Sequence, residues 1–215
     1  MTAWEATAGR DRPRAACSLC RPRRQCEAVE AQTLDQRVPR TGQGLRLARF
    51  EPHHAGTISE WVVDAQELFL LAPKTAPPLT PAKVLGWALP SDRPYVMLDA
   101  AACVVGYAEL NRMADSNSRL WIGHVLIAPH RRGAGYGTRL VRLLLEAAFR
   151  DRRVREVGLT VFPQNHRALA CYRRAGFVGG QNHSCRFPDS AESHTLLWMS
   201  VPRRRFRWLS RRGAQ

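Results

Sequence analysis

The chain has 215 residues, of which 45% are hydrophobic, and its formal net charge is +15. This hydrophobic fraction is enough for a folded core, which excludes a wholly disordered chain. No run of about 18 apolar residues is present, as a membrane-spanning helix would need, and the first residues lack the order of a secretory signal. A cytoplasmic protein is therefore the default expectation. The basic charge favours phosphate-bearing partners, including nucleotide cofactors and RNA, without choosing between them.

Residues 1–42 show neither a helical nor a strand period, and we interpret them as a disordered N-terminal leader. Three cysteines in this leader, Cys17, Cys20 and Cys26, have a spacing that would suit the start of a zinc site. A structural zinc site takes four ligands, and the next histidine downstream is only reached at His53. We therefore expect no metal.

The first half of the ordered domain, which we predict to span residues 43–202, consists mainly of short strands. Asp64 and Thr80 each stand where a helix N-cap is expected, because a side-chain oxygen there can accept a backbone N–H of the first turn. The predicted elements are a strand at 45–50, helical segments at 53–63, 64–71 and 80–87, strands at 94–98 and 103–110, a turn at 114–118 and a strand at 119–128.

The second half alternates between strands and helices. Apolar residues from Leu140 to Ala148 recur at helical spacing, and Gly176 is suited to end a later helix. The predicted elements are a glycine turn at 133–137, a helix after it, a strand at 154–162, a helix at 165–174 and strands at 177–184 and 195–201. A strand–helix–strand unit implies one parallel pair of strands. The predicted fold is therefore α/β (α+β), with a mixed, mostly antiparallel central sheet and flanking helices.

The segment Val125–Leu140 runs from the end of a strand through a glycine-rich turn directly into an amphipathic helix. Such a turn presents unpaired backbone N–H groups at the positive end of the helix dipole, which suits a pyrophosphate. Glycines let the backbone approach the phosphates closely. The spacing departs from the dinucleotide fingerprint G-x-G-x-x-G, and the Gly-Lys-Ser/Thr of a P-loop is absent. What remains is Arg132-x-x-Gly135-x-Gly137.

A second motif follows downstream, in which Asn165, Ala168, Tyr172, Gly176 and Phe177 match the pattern N-x-x-A-x-x-x-Y-x-x-x-G-F. Together, the two motifs resemble those of the GNAT superfamily of N-acetyltransferases. The resemblance covers roughly residues 45–201 and is strongest at 119–178. It implies that acetyl-CoA is the acyl donor, with direct transfer of the acetyl group to a primary amine and no covalent enzyme intermediate.

The resemblance also implies roles for individual residues. The backbone of Leu126 and Ile127 would bond the pantetheine arm, and the N–H of Ile127 would stabilise the oxyanion. Asn165 would bond the pantetheine or cap its helix, and Tyr172 would protonate the leaving thiolate. Cys171 is not expected to be a nucleophile. The residues expected to hold the pyrophosphate are Arg132, Gly133, Ala134, Gly135, Tyr136, Gly137 and Thr138.

The general base is left open between Glu109 on the second meander strand, His124 on the third, and a chain of waters. The acceptor is expected to lie near residues 58–71 and 183–195. Aromatic side chains including Trp61, Phe69 and Trp87 are candidates to line a pocket. A small-molecule amine is favoured over a peptide or a protein N-terminus. The protein is expected to be a monomer or a homodimer.

Residues 203–215 form a basic tail with six arginines and no acidic residue. We expect a disordered basic end. Arginines interleaved with Phe206 and Trp208 can also bind RNA or an anionic membrane surface, so nucleic acid is a possible partner but not an expected one. The alternative function is therefore an RNA- or ribosome-associated basic protein with a CoA-binding regulatory domain.

Overall fold

The computed structural model describes residues 44–88, 92–113, 116–187 and 192–212. The predicted leader, with Cys17, Cys20 and Cys26, lies outside these residues. The strands are β1 (Arg46–Arg49), β2 (Arg93–Leu98), β3 (Val104–Met113), β4 (Ser116–Ile127), β5 (Glu156–Val161), β6 (Val178–Arg186) and β7 (Ser193–Pro202). The helices are α1 (His54–Ser59), α2 (Ala65–Leu71), α3 (Pro81–Leu85), α4 (Tyr136–Arg150), α5 (His166–Ala175) and α6 (Arg203–Arg212), with a 3-10 turn at Pro129–Arg131.

The strands form one sheet in the order β1-β2-β3-β4-β5-β7-β6. Strands β4 and β5 run parallel, joined by the crossover through α4, whereas every other neighbouring pair is antiparallel. The prediction of a mixed, mostly antiparallel sheet with flanking helices is confirmed.

The parallel pairing of β4 with β5 is short. It joins Arg119–Trp121 of β4 to Glu156–Gly158 of β5, and no paired residues follow, although β4 continues to Ile127. The two strands therefore separate at their carboxyl ends and leave one edge of β4 open beside β5.

Apolar side chains form two clusters of buried residues. The larger one packs α4 and α5 against the sheet, with Leu140, Leu144 and Leu145 fully buried on α4. The smaller one packs α1 and α3 against the sheet through Ile58 and Val84. Within the described residues, no helix is both long and apolar enough to cross a bilayer.

The predicted helix caps are present. Asp64 accepts the backbone N–H of Glu67 at 2.7 Å, and Thr80 accepts that of Lys83 at 3.4 Å. Asn165 accepts the N–H of Ala168 at 3.1 Å, and Gly176 closes α5 at a φ of 109°, in the left-handed region that favours glycine. These short-range signals place the helix starts correctly because a cap satisfies backbone groups within a few residues of itself.

Two expectations are wrong. The predicted turn at 114–118 is shorter, because β4 already begins at Ser116 and pairs with Met113. Residues 203–212 are not a disordered basic tail, because they form helix α6. This helix is held by contacts with residues about 50 positions earlier in the chain, such as the hydrogen bond from Arg203 Nε to the carbonyl of Val154 at 2.7 Å.

Candidate active site

The glycine turn has the backbone geometry that the sequence predicts. Gly133 and Gly135 have φ values of 77° and 82°, and a Cβ added at either position would meet nothing within 4 Å. Gly135 is the N-cap of α4, and the first helical hydrogen bond runs from Arg139 N to Gly135 O at 3.1 Å. The N–H groups of Tyr136, Gly137 and Thr138 precede it and have no acceptor inside the helix. The turn can therefore bind an anion.

The side chains of the two arginines beside this turn are paired with carboxylates outside it. The guanidinium of Arg132 donates to the carbonyls of Ile127 at 2.9 Å and Trp61 at 2.6 Å, and it pairs with Glu67 at 2.7 Å. The guanidinium of Arg131 pairs with Asp99 at 3.0 Å. Arg132 therefore joins the end of β4 to α2 and to the segment before it.

Helix α5 packs against the start of α4 at this turn. The hydroxyl of Thr138 donates to Cys171 Sγ at 3.7 Å, and a Cβ added at Gly137 would lie 3.1 Å from the same sulfur. Burial raises the pKa of the Cys171 thiol, outweighing the opposing effects of Thr138 and Arg174. A thiol with a raised pKa is a poor nucleophile, so Cys171 is not suited to be one. The side chain of Asn165, at the start of α5, is engaged as a helix cap.

The open edge of β4 presents the backbone of Ile127. Residues along a strand alternate in the edge to which their N–H and C=O point. Ala128 N–H donates to the carbonyl of Val105 on the β3 side at 3.1 Å, so the groups of Ile127 face the opposite, open edge beside β5. The groups of Leu126, which is paired with Tyr107, face β3 instead.

A β-bulge brings the two candidate bases together. Between the pairs Tyr107↔Leu126 and Glu109↔Gly123, β4 contains one residue more than β3. His124 lies in this bulge with a φ of 45°, which is uncommon for a residue other than glycine. His124 Nδ1 then lies 2.8 Å from Glu109 Oε1. Because a carboxylate oxygen accepts, Nδ1 carries the proton of the neutral ring and Nε2 is left as an acceptor.

Glu109 is buried, with only 1% of its surface exposed, and a network of donors surrounds it. The hydroxyl of Tyr107 donates to Oε1 at 2.8 Å, and Nδ2 of Asn111 donates to Oε2 at 3.1 Å. Burial by itself raises the pKa of Glu109. The hydrogen bond from His124, the charge of His124 in its protonated form, and the bonds from Asn111 and Tyr107 together lower this pKa below its ordinary value. Glu109 is therefore a buried carboxylate that orients His124, which is the more exposed of the two.

Trp87, just beyond α3, stacks on the ring of His124. Its ring lies 4.4 Å from that of His124, with an angle of 13° between the planes, and its Nε1 donates to Thr75 Oγ1 at 2.9 Å. The sequence predicted that Trp87 lines a pocket, but not that it stacks on His124. Tyr107 and Asn111 were missed entirely, although they share a strand face with Glu109 because side chains alternate along a strand.

Tyr172 is 8% exposed and packs against Phe177. Burial, and then the nearby Cys171, raise the pKa of Tyr172. Within the described residues, no hydrogen bond to its hydroxyl is found. Tyr172 therefore keeps its proton at neutral pH.

An aromatic cluster joins α2 to the hairpin of β6 and β7 at the carboxyl end of β5. Phe69 of α2 lies 5.2 Å from Phe162, 5.9 Å from Phe187 and 5.1 Å from His194. Phe162 and Phe187 are buried, whereas Phe69 and His194 are half-buried. Trp61, also expected at a pocket, is instead a core side chain with 4% of its surface exposed.

The fold and the site together define the class of the protein: a mixed sheet splits at one parallel pair, and a helix start with unpaired backbone N–H groups follows the split strand. Residues 56–177 match the family profile described as the acetyltransferase (GNAT) family, and the chain belongs to that family.

Curated relatives match parts of this region. The chain is 34% identical over 83 residues to an aminoglycoside N(6')-acetyltransferase type 1 of Klebsiella pneumoniae, which covers 34% of this chain and 41% of that protein. It is 33% identical over 111 residues to a streptothricin acetyltransferase of Streptomyces lavendulae, which covers 51% of this chain and 58% of that protein. The chain thus spans about two fifths to three fifths of the length of these relatives.

Solved structures match more of the chain. The aminoglycoside acetyltransferase AAC(6')-Ib, in a complex with paromomycin and acetyl-CoA, superposes with a TM-score of 0.61 at 25% identity, over 76% of this chain and 96% of that one. A spermidine N-acetyltransferase from Vibrio cholerae, bound to CoA and spermine, superposes with a TM-score of 0.63 at 18% identity, over 76% and 98% of the two chains. At 18% identity, the likeness to the spermidine N-acetyltransferase shows a shared fold.

Proposed function

We propose that the protein is an N-acetyltransferase that transfers the acetyl group of acetyl-CoA to a primary amine of a small molecule in the cytoplasm. One observation carries the proposal. Strand β4 leaves β5 after Trp121, and the glycine turn with its unpaired N–H groups follows at the end of the same strand. An extended pantetheine arm and a pyrophosphate fit this succession of an open strand edge and a helix N-terminus.

Backbone groups at the end of β4 and at the start of α4 are proposed to bind acetyl-CoA. The N–H groups of Tyr136, Gly137 and Thr138 are proposed to bind the pyrophosphate, with Gly133 and Gly135 leaving room for it. Because the side chains of Arg131 and Arg132 are engaged with Asp99 and Glu67, they contribute nearby charge and position the turn. Ile127 presents its N–H to the pantetheine arm or to the acetyl carbonyl, whereas Leu126 lies in the strand ladder with β3.

The amine must be neutral before it attacks. Nε2 of His124 is proposed to take a proton from the ammonium group, directly or through a water, with Nδ1 held by Glu109. The amine nitrogen then forms a bond to the acetyl carbon while the bond from that carbon to sulfur breaks. The N–H of Ile127 stabilises the charge that develops on the carbonyl oxygen, and Tyr172 gives its proton to the departing thiolate. The second proton, which the nitrogen loses as the amide forms, restores the Tyr172 hydroxyl through water.

The acceptor is proposed to be a small amine rather than a protein N-terminus. Two relatives are named as aminoglycoside and streptothricin acetyltransferases, and two of the solved structures hold an aminoglycoside or a polyamine. The half-buried ring of Trp87, which stacks on His124, and the half-buried rings of Phe69 and His194 are proposed to contact the amine, since aromatic faces attract ammonium groups. No matching observation favours the alternative of a regulatory CoA-binding module.

Calorimetric titration of acetyl-CoA and CoA into the full chain tests the donor site. Micromolar binding is expected for the wild type and none for Gly135→Glu, because the new carboxylate would stand where the pyrophosphate binds. Gly179→Glu controls for the added charge, since an added Cβ there also meets nothing within 4 Å, and Gly135→Ala controls for the backbone strain of a side chain at a φ of 82°. Release of free thiol with aminoglycoside or polyamine acceptors then tests the transfer. Equal acetyl-CoA affinity in a folded Gly135→Glu variant would overturn the site.

A further inference from the structure

Helix α6 has one face fixed to the domain and another exposed. Arg203 donates to the carbonyls of Phe149 at 2.8 Å, Val154 at 2.7 Å and Asp151, and Arg205 donates to that of Gly176 at 2.8 Å. The ring of Phe206 packs 4.9 Å from that of Phe149. The apolar side chain of Phe206 therefore packs against the domain.

The outward face of α6 carries Arg204, Arg207 and Trp208, at the i, i+3, i+4 spacing of one helical stripe. Both arginines are exposed, and 51% of the surface of Trp208 is exposed. No carboxylate pairs with Arg204 or Arg207 in the part of the chain that the structure describes.

The positive charge continues beyond the helix. Arg152 and Arg207 both lie close enough to Arg203 to lower its pKa by repulsion, in addition to the larger effect of burial. Arg112 lies near Asp151 and, with Arg93, lines a groove whose floor includes Leu110, Leu120 and Val154. Asp151, the acid of this groove, is already paired with Arg153 at 3.1 Å. We call the surface formed by Arg93, Arg112, Arg152, Arg204, Arg207 and Trp208 the arginine pole.

We propose that the arginine pole binds single-stranded RNA. Guanidinium groups bind phosphates through two parallel hydrogen bonds, and an exposed tryptophan is a platform on which a base can stack. A membrane is less suited as a partner, because an amphipathic helix binds lipid through its apolar face, and on α6 that face contacts Phe149.

The arginine pole lies far from the acetyl-CoA site. Helix α4 begins at the glycine turn and ends at Arg150 beside the pole, and its 15 residues extend about 22 Å at 1.5 Å per residue. RNA and acetyl-CoA can therefore bind at the same time. The RNA proposal goes beyond the proposed transferase function and does not depend on it.

The test is fluorescence anisotropy of a labelled oligoribonucleotide of about 20 nucleotides, longer than a typical single-strand site of about 4–16 nucleotides. The full chain is titrated as wild type, as Arg204→Glu/Arg207→Glu and as Lys74→Glu/Arg186→Glu. The second double variant makes the same charge change at two exposed residues away from the pole, since Arg186 pairs with Ser193 at the end of β7 opposite to α6. Vesicles with and without anionic lipid are titrated in parallel, and melting temperatures establish that both variants are folded.

The pole variant is expected to lose roughly tenfold or more in RNA affinity, and its salt dependence should fall by about 1.4 in log–log slope, or about 0.7 per lost contact. The control variant should retain most of the affinity, and Trp208→Ala should weaken binding without changing the salt slope. Equal losses in both double variants would overturn the proposal, since they would show attraction by net charge alone. Binding to anionic vesicles but not to RNA would also overturn it, in favour of a membrane.

Discussion

At the scale of single residues, the contact between His124 and Glu109 distinguishes the two candidate bases. Glu109 is 1% exposed and accepts from His124, Tyr107 and Asn111, so its oxygens are already engaged. Its buried negative charge fixes the ring orientation of His124. We infer that Glu109 is a positioning residue and that His124 is the base.

His124→Asn tests this assignment, because asparagine tolerates the left-handed backbone at this position. Steady-state rates should show a loss in kcat/KM of about 10²-fold or more, with unchanged acetyl-CoA affinity. In a carbon-13 NMR titration, the pKa of Glu109 should rise, because burial would no longer be opposed by His124. The exposed His130, replaced in the same way, is the control. An unchanged rate would exclude His124 as the base.

Tyr172→Phe removes a proton donor and preserves the packing against Phe177. Turnover should fall by about 10²-fold or more, because the thiolate then leaves without a general acid, while acetyl-CoA affinity stays within about twofold. Single-turnover kinetics and calorimetry separate the two effects. If the rate of the chemical step were unaffected, Tyr172 would be a core aromatic only.

At the scale of elements, the start of α1 depends on a neutral histidine. His54 Nδ1 accepts the backbone N–H of Glu51 at 2.9 Å, and only an unprotonated ring nitrogen accepts. Burial, followed by repulsion from His53, lowers the pKa of His54 to about 4. Below the unfolded pKa near 6.5, the unfolded chain therefore binds a proton that the folded chain does not bind.

The free energy of unfolding should consequently decrease as the pH falls from about 6.5 to about 4. In His54→Gln this part of the pH dependence should disappear, because glutamine does not titrate. Urea unfolding at several pH values measures it, and His166→Gln is a control at an exposed histidine. A wild type and a His54 variant with parallel pH profiles would contradict the prediction.

At the scale of the whole molecule, Arg132 links the two sides of the site. Its guanidinium contacts Ile127 at the donor edge of β4, and Trp61 and Glu67 on the helical side where the acceptor is proposed to bind. A single side chain therefore fixes the distance between the open strand edge and α2.

Arg132→Ala should raise KM for both acetyl-CoA and the amine, because both sides lose their common support. Glu67→Gln should affect the amine more, since the contacts of Arg132 with the backbone remain. Gly135→Glu, by contrast, should act on the donor alone. Steady-state kinetics with each substrate varied in turn checks these patterns. An effect of Arg132→Ala on acetyl-CoA only would show that the residue belongs to the donor site.

The sequence by itself determined the features that depend on neighbours along the chain. Asp64, Thr80 and Asn165 cap helices because they satisfy N–H groups within three residues, and Gly133 and Gly135 adopt positive φ because they lack a Cβ. The two motifs likewise lie within short segments. These local signals were sufficient for the order of the strands and of helices α1 to α5, and for the family.

Only the tertiary structure decided which distant side chains meet. The hydrogen bond from His124 to Glu109 spans 15 residues and requires a bulge in β4, which strand periodicity does not reveal. The contact of Arg132 with Trp61 spans 71 residues, and Arg203 orders α6 on carbonyls about 50 residues away. Such contacts depend on the register and packing of the whole sheet, because side chains far apart in sequence come together only when the chain folds.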